Sequence, residues 1–148
     1  SGRSVLMNDK TITLYNAYRK DKEICWNRTT VRGCEYRYSS ARTTGQNGTV
    51  VFTPLLTVVI PVTADTQGRK YIDSYEYAKL SPEDIANYFT FNVANKHDVI
   101  VVGECDKEIT DSYKITDLQK EIEKSGTIIS LDDNTDVKRL KHWKVVCK

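Results

Sequence analysis

The sequence contains no long hydrophobic segment and no cluster of basic residues. No stretch approaches the ~20 consecutive apolar residues of a membrane-spanning helix, and residues 1–6 contain no signal-peptide core. The net charge is only +2, and basic residues alternate with acidic ones at 20–23 and 120–124. A nucleic-acid-binding face needs clustered basic residues. We therefore expect a soluble, mature chain that binds neither membranes nor nucleic acid.

The motifs of several common enzyme classes are also missing. The chain has no G-x-S-x-G, P-loop, dinucleotide-binding or H-E-x-x-H motif. A hydrolase triad needs a base, and the histidines available are His97 and His142. His97 and Asp98 are adjacent, so in a strand they would point to opposite faces and could not share one small ligand. We expect a protein that is not an enzyme and holds no metal or cofactor.

Cysteines are few, but their number is even. None of their spacings is a paired C-x-x-C zinc motif, and they stand at Cys25, Cys34, Cys105 and Cys147. Two disulfides are favoured over the alternative, a set of reduced core thiols in a cytosolic protein. Two N-x-S/T sequons make Asn27 and Asn47 candidates for glycosylation. Together these features predict a secreted protein.

The length of 148 residues and 39% apolar content fit one domain, 1–148, with a sizeable core. Alternation of apolar and polar residues predicts β-strands at 11–18 and 35–39, and the apolar segment 50–62, rich in β-branched residues, predicts another. The predicted strands are 11–18, 35–39, 50–62, 70–77, 88–93 and 98–104. Asn47-Gly48 predicts the turn of a hairpin before the third of these. We expect 88–93 and 98–104 to be antiparallel neighbours.

The last third of the chain favours helix. Leu118 and Ile122 are four residues apart within 116–124, with Gly126 as a candidate C-cap. A short helix is also predicted at Ser81–Asp84 and another from Asp136. After it, residues 145–147 are extended or hold the C-terminal tail in place by a disulfide. Roughly seven short strands followed by a helix predict an antiparallel barrel or sandwich.

Acidic and aromatic residues supply the candidate ligand-binding groups. If Asp98 faces the core, its isolated carboxylate needs a partner, which makes it a candidate for gripping a cationic ligand. The alternative is an exposed aspartate at a strand end. Tyr71, Tyr75 and Tyr77 would share one face of a strand, and Tyr88 follows on the next. Tyrosines suit an amphipathic ligand, although ordinary strand packing explains them equally well.

Several short motifs together resemble the salivary lipocalins of ticks. They are the opening strand 14–21 with a cysteine soon after it, a later strand starting Asp98-Val99-Ile100, and a helix followed by a terminal cysteine. The resemblance implies an eight-stranded antiparallel barrel with a C-terminal α-helix that sequesters histamine, serotonin or eicosanoids. It also implies the disulfides Cys34–Cys147 and Cys25–Cys105.

The sequence departs from that family's amine-binding motifs, Cys-Asp-Val/Ile/Leu and Glu-Leu-Trp/Tyr. Asp98 matches, but His97 replaces the cysteine, and Tyr113-Lys114 places a lysine where the glutamate should be. A lysine beside Asp98 would repel an amine. Either Glu108 or Asp111 supplies the second acid, or Lys114 pairs with an acidic ligand such as a fatty acid or eicosanoid; a neutral sterol is a further alternative.

These observations predict a secreted, monomeric scavenger that holds a small host mediator inside its barrel, with a biogenic amine favoured. The alternative is a protein-binding inhibitor of a host protease, complement component or cytokine. An interior filled by side chains, with exposed apolar residues outside, would favour the alternative.

Overall fold

The computed structural model describes residues 9–148, and at 41–43 and 51–53 it describes the backbone alone. The strands are β1 (Lys10–Lys20), β2 (Glu23–Thr44), β3 (Val50–Pro61), β4 (Lys70–Tyr71), β5 (Tyr88–Phe89), β6 (Val99–Val102), β7 (Ser125–Asn134) and β8 (His142–Cys147). The helices are α1 (Ser74–Ala78) and α2 (Ile115–Glu121), with a 3-10 turn at Ile85–Asn87. None of the described helices is long and apolar enough to cross a membrane.

Six strands form a closed barrel in the order β1-β2-β3-β8-β7-β6, in which every neighbouring pair is antiparallel. The predicted β-barrel is therefore present, but the predicted eight strands and C-terminal helix are wrong. Strands β4 and β5 have two residues each and pair with each other, in parallel, as a separate sheet. The last described element is strand β8, and α2 comes before β7.

The hairpin of β1 and β2 carries the alternation that the sequence predicts. Ile12 and Leu14 belong to the barrel core, whereas Tyr15 packs in a cluster outside it. The turn residues Asp21 and Lys22 have φ of 51° and 69°. Positive φ at both central residues is the backbone of a two-residue hairpin turn that matches the twist of its strands.

Strand β2 continues past the end of β1 and forms a projecting ribbon with β3. Among the described residues, β1 pairs with β2 as far as Cys34, and β8 pairs with β3 from Leu56. Residues 39–44 pair with 50–55 and with no other strand of the described residues. We call this ribbon the arm. Its loop contains Gly48, with φ of 82°, as the sequence predicts, and the sequon at Asn47 is exposed there.

Side chains fill the inside of the barrel. Aliphatic side chains from the barrel strands form the wall of the core: Ile12, Leu14, Val31, Leu56, Val58, Ile60, Ile100, Ile128 and Val145. Four rings pack among them, with centroids 4.9 to 5.9 Å apart: Tyr71, Phe89, Phe91 and Trp143. Three of these rings come from residues 62–98, which we call the mouth segment. This segment therefore packs into the barrel.

A second layer covers one outer side of the barrel. Tyr15, Val99 and Val101 point outward and pack against Leu118 of α2 and Cys105. The Tyr15 hydroxyl donates to the Lys107 carbonyl at 2.7 Å. The bounds of helix α2 are close to those of the predicted helix, 116–124. Its apolar face, which includes Leu118, covers the outward-facing side chains of the barrel.

The mouth segment differs most from the sequence prediction. The predicted strand at 70–77 ends at Tyr71, because Asp73 begins α1 by accepting a hydrogen bond from the Glu76 amide at 3.0 Å. Tyr71, Tyr75 and Tyr77 therefore do not share the face of one strand. The predicted pairing of 88–93 with 98–104 is also wrong, since β6 pairs with β1 and β7.

Three predicted helix features are also absent from the described residues. Residues 81–84 form a turn that leads into the 3-10 turn, and 136–140 are bends. Gly126 lies in β7 and does not cap α2. A Cβ there would lie 2.9 Å from the Cβ of Cys147, so the glycine allows two strands to approach closely.

All four cysteines lie in the described part of the chain, and each is a free thiol. The predicted pairs Cys34–Cys147 and Cys25–Cys105 are therefore not formed. Cys34 lies opposite Lys10 on β1, whereas Cys147 lies opposite Leu56 on β3. Burial raises the pKa of both Cys34 and Cys147 to about 12. Both are neutral thiols within the core.

We expect native protein to react with iodoacetamide at Cys25 alone, because Cys34, Cys105 and Cys147 are buried. Unfolding in denaturant without reductant should expose all four thiols. Mass spectrometry of the labelled peptides measures both states. A chain that stays unlabelled in denaturant would contain disulfides and contradict the structure.

Candidate binding site

Asp98 is buried at the barrel end where β6 begins, with 1% of its surface exposed. Its Oδ2 accepts from Asn16 Nδ2 at 2.7 Å and from the Asn92 amide at 3.1 Å. Its Oδ1 accepts from the Ala17 amide at 3.0 Å and from Asn95 Nδ2 at 3.3 Å. The carboxylate therefore ties β1 to the mouth segment.

The environment of Asp98 is polar but contains only neutral donors to the carboxylate. Burial raises the pKa of Asp98 above its ordinary value, and hydrogen bonds from Ala17, Asn16, Asn92 and Asn95 act in the opposite direction. A carboxylate has about four acceptor positions, and all of them have a protein donor. The alternative in which Asp98 faces the core is therefore correct. Binding of a cationic ligand by Asp98, as predicted, would require these hydrogen bonds to break.

A second buried network surrounds Asn27, which is 7% exposed. Its Nδ2 lies 3.2 Å from the Tyr77 hydroxyl, 3.1 Å from the Ile85 carbonyl and 3.0 Å from the Tyr88 carbonyl. Its Oδ1 accepts from Arg69 at 3.1 Å. A glycan on Nδ2 would have to pass through this packing. The folded structure does not support glycosylation at Asn27, which stays a prediction.

Three open clefts meet around Tyr18, near the end of β1 and next to the Asp98 network. Their volumes are about 290, 670 and 240 Å³, and Tyr18 lines all three. No member of the barrel core lines any of them. Ala17 and Asn95, both bonded to Asp98, line the two smaller ones. Asp98 thus helps to hold the walls of these clefts in place.

The largest of the three is called the Tyr18 cleft here. The β1–β2 hairpin forms one wall, and the irregular segment before α2, together with the start of that helix, forms the other. Its lining residues are Tyr18, Glu23, Ile24, Cys25, Trp26, His97, Ile109, Thr110, Asp111, Lys114 and Ile115. The cleft therefore combines apolar walls with charges of both signs.

Tyr18 lies at the centre of the site. It is paired with Cys25 across the hairpin. Burial raises the pKa of Tyr18, and the neighbouring Cys25 thiol raises it further. Ile24 next to it is 42% exposed, which is high for a large aliphatic side chain beside other apolar residues.

The structure brings some of the predicted binding residues together. Asp111 and Lys114 both line the Tyr18 cleft. Tyr77 lines the smallest of the three clefts, together with Tyr18. Tyr75, on α1, is 81% exposed and lines none of them.

The remaining predicted residues lie outside the three clefts and bond to other parts of the protein. Glu108 forms a salt bridge with Arg28 at 2.9 Å. The Tyr113 hydroxyl donates to the Glu121 carboxylate. Tyr88 is half-buried in β5, where its carbonyl accepts from Asn27.

Sequence reasoning missed the aromatic half of the site. Tyr18 and Trp26 flank the charged turn 20–23, and an aromatic residue on each side of an exposed hairpin turn was the available clue. Among the described residues, no group of three or more His, Cys, Asp or Glu side chains is placed to hold a metal ion.

The sequence matches the model of a family of unknown function (DUF6751) over residues 7–148. The chain belongs to this family. No curated protein matches the chain, and no solved structure matches it. The family therefore gives no activity to assign.

We expect Asp98→Ala to lower the free energy of unfolding by about 2–4 kcal/mol, since buried donors lose their acceptor. The matched control is Asp106→Ala, because Asp106 is exposed, and it should change stability by at most about 0.5 kcal/mol. Urea unfolding of both variants checks this. Equal stabilities would show that Asp98 does not anchor the mouth segment.

Proposed function

We propose that the protein is a protein-binding module that holds an extended segment of a partner protein in the Tyr18 cleft. The observation that carries the proposal is that several apolar side chains of this open cleft are half-exposed. The barrel beside the cleft is filled by its own side chains. Exposed apolar surface edged by polar groups is typical of interaction sites.

The filled interior argues against a ligand inside the barrel. Phe89, Phe91 and Trp143 are 2%, 3% and 7% exposed and occupy the space that a captured mediator would need. Moving them would also break contacts among the four rings of the cluster. An outside site requires no such change.

The chemistry of the Tyr18 cleft fits a peptide. Its volume of about 670 Å³ lies within the range of about 300–1,000 Å³ that binding sites occupy. Tyr18 and Trp26 offer rigid, amphipathic contact surface, which is enriched at protein interfaces. Asp111 and Lys114 can pair with donors and acceptors of a main chain or with charged side chains of either sign.

A second candidate is a small aromatic amine in the same cleft. Tyr18 and Trp26 stand near Glu23 and Asp111, and an aromatic face with a carboxylate is a combination that binds ammonium groups. Lys114 in the same cleft opposes such a ligand by charge repulsion. The peptide is therefore preferred.

Secretion and a host protein as the partner are further parts of the proposal. The exposed sequon at Asn47 supports secretion, since glycosylation acceptors are surface sites of secreted proteins. The four free thiols and the enclosed Asn27 do not support it.

The proposal is tested by selecting random linear peptides on the immobilised chain and measuring the affinity of the enriched peptides. We expect Ile24→Asp to weaken binding about tenfold or more, because it places a charge among the apolar contacts. Trp143→Phe leaves Trp26 as the single tryptophan, whose fluorescence should change when the peptide binds.

The matched control is Ile129→Asp, because Ile129 is 45% exposed on β7, away from the cleft, and Ile24 is 42% exposed. It should leave affinity unchanged. Peptides that bind both variants equally would contradict the proposal. Histamine, serotonin and a fatty acid are titrated in parallel. If one of these small molecules binds with an affinity that Ile24→Asp does not change, and its binding also alters the fluorescence of Trp143, the ligand lies in the barrel.

A further inference from the structure

Strand β1 extends past the end of its neighbour β6. The pairing of these two strands ends at Tyr15, opposite Val99, whereas β1 continues to Lys20. On its other side β1 stays paired with β2 as far as the hairpin turn. Among the described residues, 16–20 therefore have no strand on the β6 side. Residues 1–8, which lie outside the described part of the chain, precede the opposite end of β1.

The backbone groups of alternate residues of β1 point to that side. The pair that flanks a two-residue turn is hydrogen-bonded, and hydrogen-bonded pairs then alternate along the hairpin. Tyr18 therefore bonds to β2, whereas the N–H and C=O of Ala17 and Arg19 point the other way. Asp98 Oδ1 accepts from the Ala17 amide at 3.0 Å, in agreement with this direction. No described residue bonds to the Ala17 C=O or to either backbone group of Arg19.

These backbone groups lie beside an open cleft. The cleft of about 290 Å³, called the edge cleft here, is lined by Ala17, Tyr18, Arg19, Ile24, Asn95 and His97. Tyr18, Ile24 and His97 also line the Tyr18 cleft, so the two clefts adjoin. A chain along the edge of β1 would therefore lie next to the Tyr18 cleft.

We propose that the partner segment binds as an added strand along the edge of β1, with its main chain hydrogen-bonded to the backbone of Arg19. This inference rests on the proposed function and adds how the segment is held. Unpaired N–H and C=O groups at a strand edge match the main chain of an extended peptide. Asp98 sets where the added strand ends, because its carboxylate already occupies the Ala17 amide.

The charges at the edge cleft favour an acidic residue in the segment. Arg19 is exposed and forms no salt bridge with any described residue. None of the residues that line the edge cleft is a carboxylate. Opposite charges on directly paired residues of neighbouring strands attract. The segment is therefore one that places an Asp or Glu opposite Arg19.

Peptides selected on the immobilised chain test the charge. The enriched peptides should contain an acidic residue, and Arg19→Glu should weaken their binding about fivefold or more, because like charges would then face each other. The matched control is Arg37→Glu, since Arg37 is an exposed arginine of β2 that lines none of the three clefts. It should leave affinity unchanged. An affinity that Arg19→Glu does not lower overturns the proposal.

Methylation of the peptide nitrogens, one at a time, tests the added strand without any change to the protein. Successive residues of a strand point their N–H groups to opposite sides. Affinity should therefore fall about tenfold or more at every second residue and change little between them. An affinity without this two-residue period overturns the added strand, although Ile24→Asp would still weaken a peptide held in the Tyr18 cleft by its side chains alone.

Amide hydrogen exchange reports the same contact on the protein. The Arg19 amide should exchange more slowly with the peptide bound, because it gains an acceptor, while amides of β8 should not change. Unchanged exchange at Arg19 in the complex overturns the proposal. If Ile24→Asp weakens none of the selected peptides, the proposed function fails, and this inference fails with it.

Discussion

The width of a six-stranded barrel is the constraint on which the rest of the structure depends. Barrel diameter grows with strand number, and about eight strands give an interior just wide enough for side chains or one small ligand. Six strands enclose less space, and Phe89, Phe91 and Trp143 occupy it. The interior is therefore filled by side chains of the protein itself.

The two ends of the barrel differ in structure. At one end the mouth segment enters the barrel. There the buried carboxylate of Asp98 accepts two hydrogen bonds from β1 and two from the mouth segment itself. A buried charge is costly unless it is hydrogen-bonded, so this arrangement fixes both partners and positions the hairpin that carries Tyr18. At the other end β2 and β3 outrun their neighbours and form the arm.

Local pattern predicted the elements whose environment is regular. Alternation located β1, apolar segments located β3 and β6, and a four-residue apolar spacing located α2. It failed at 70–77, where the capping Asp73 outweighed the alternation of tyrosines, and at β7, where a bulge at Ile128–Ser130 interrupts the register. Within the site, the burial of Asp98 was foreseen as one of two alternatives. The Tyr18 cleft was not, because its two walls are far apart in sequence and meet only after the barrel closes.

The central claim is that aromatic side chains of the mouth segment fill the barrel. The most direct test is a nuclear Overhauser experiment on the Trp143 indole, whose ring centroid lies 5.9 Å from that of Phe89 and 5.7 Å from that of Phe91. The account predicts cross-peaks from the indole protons to both phenylalanine rings. Their absence in the folded protein would mean that the mouth segment lies outside the barrel and that the interior is open to a ligand.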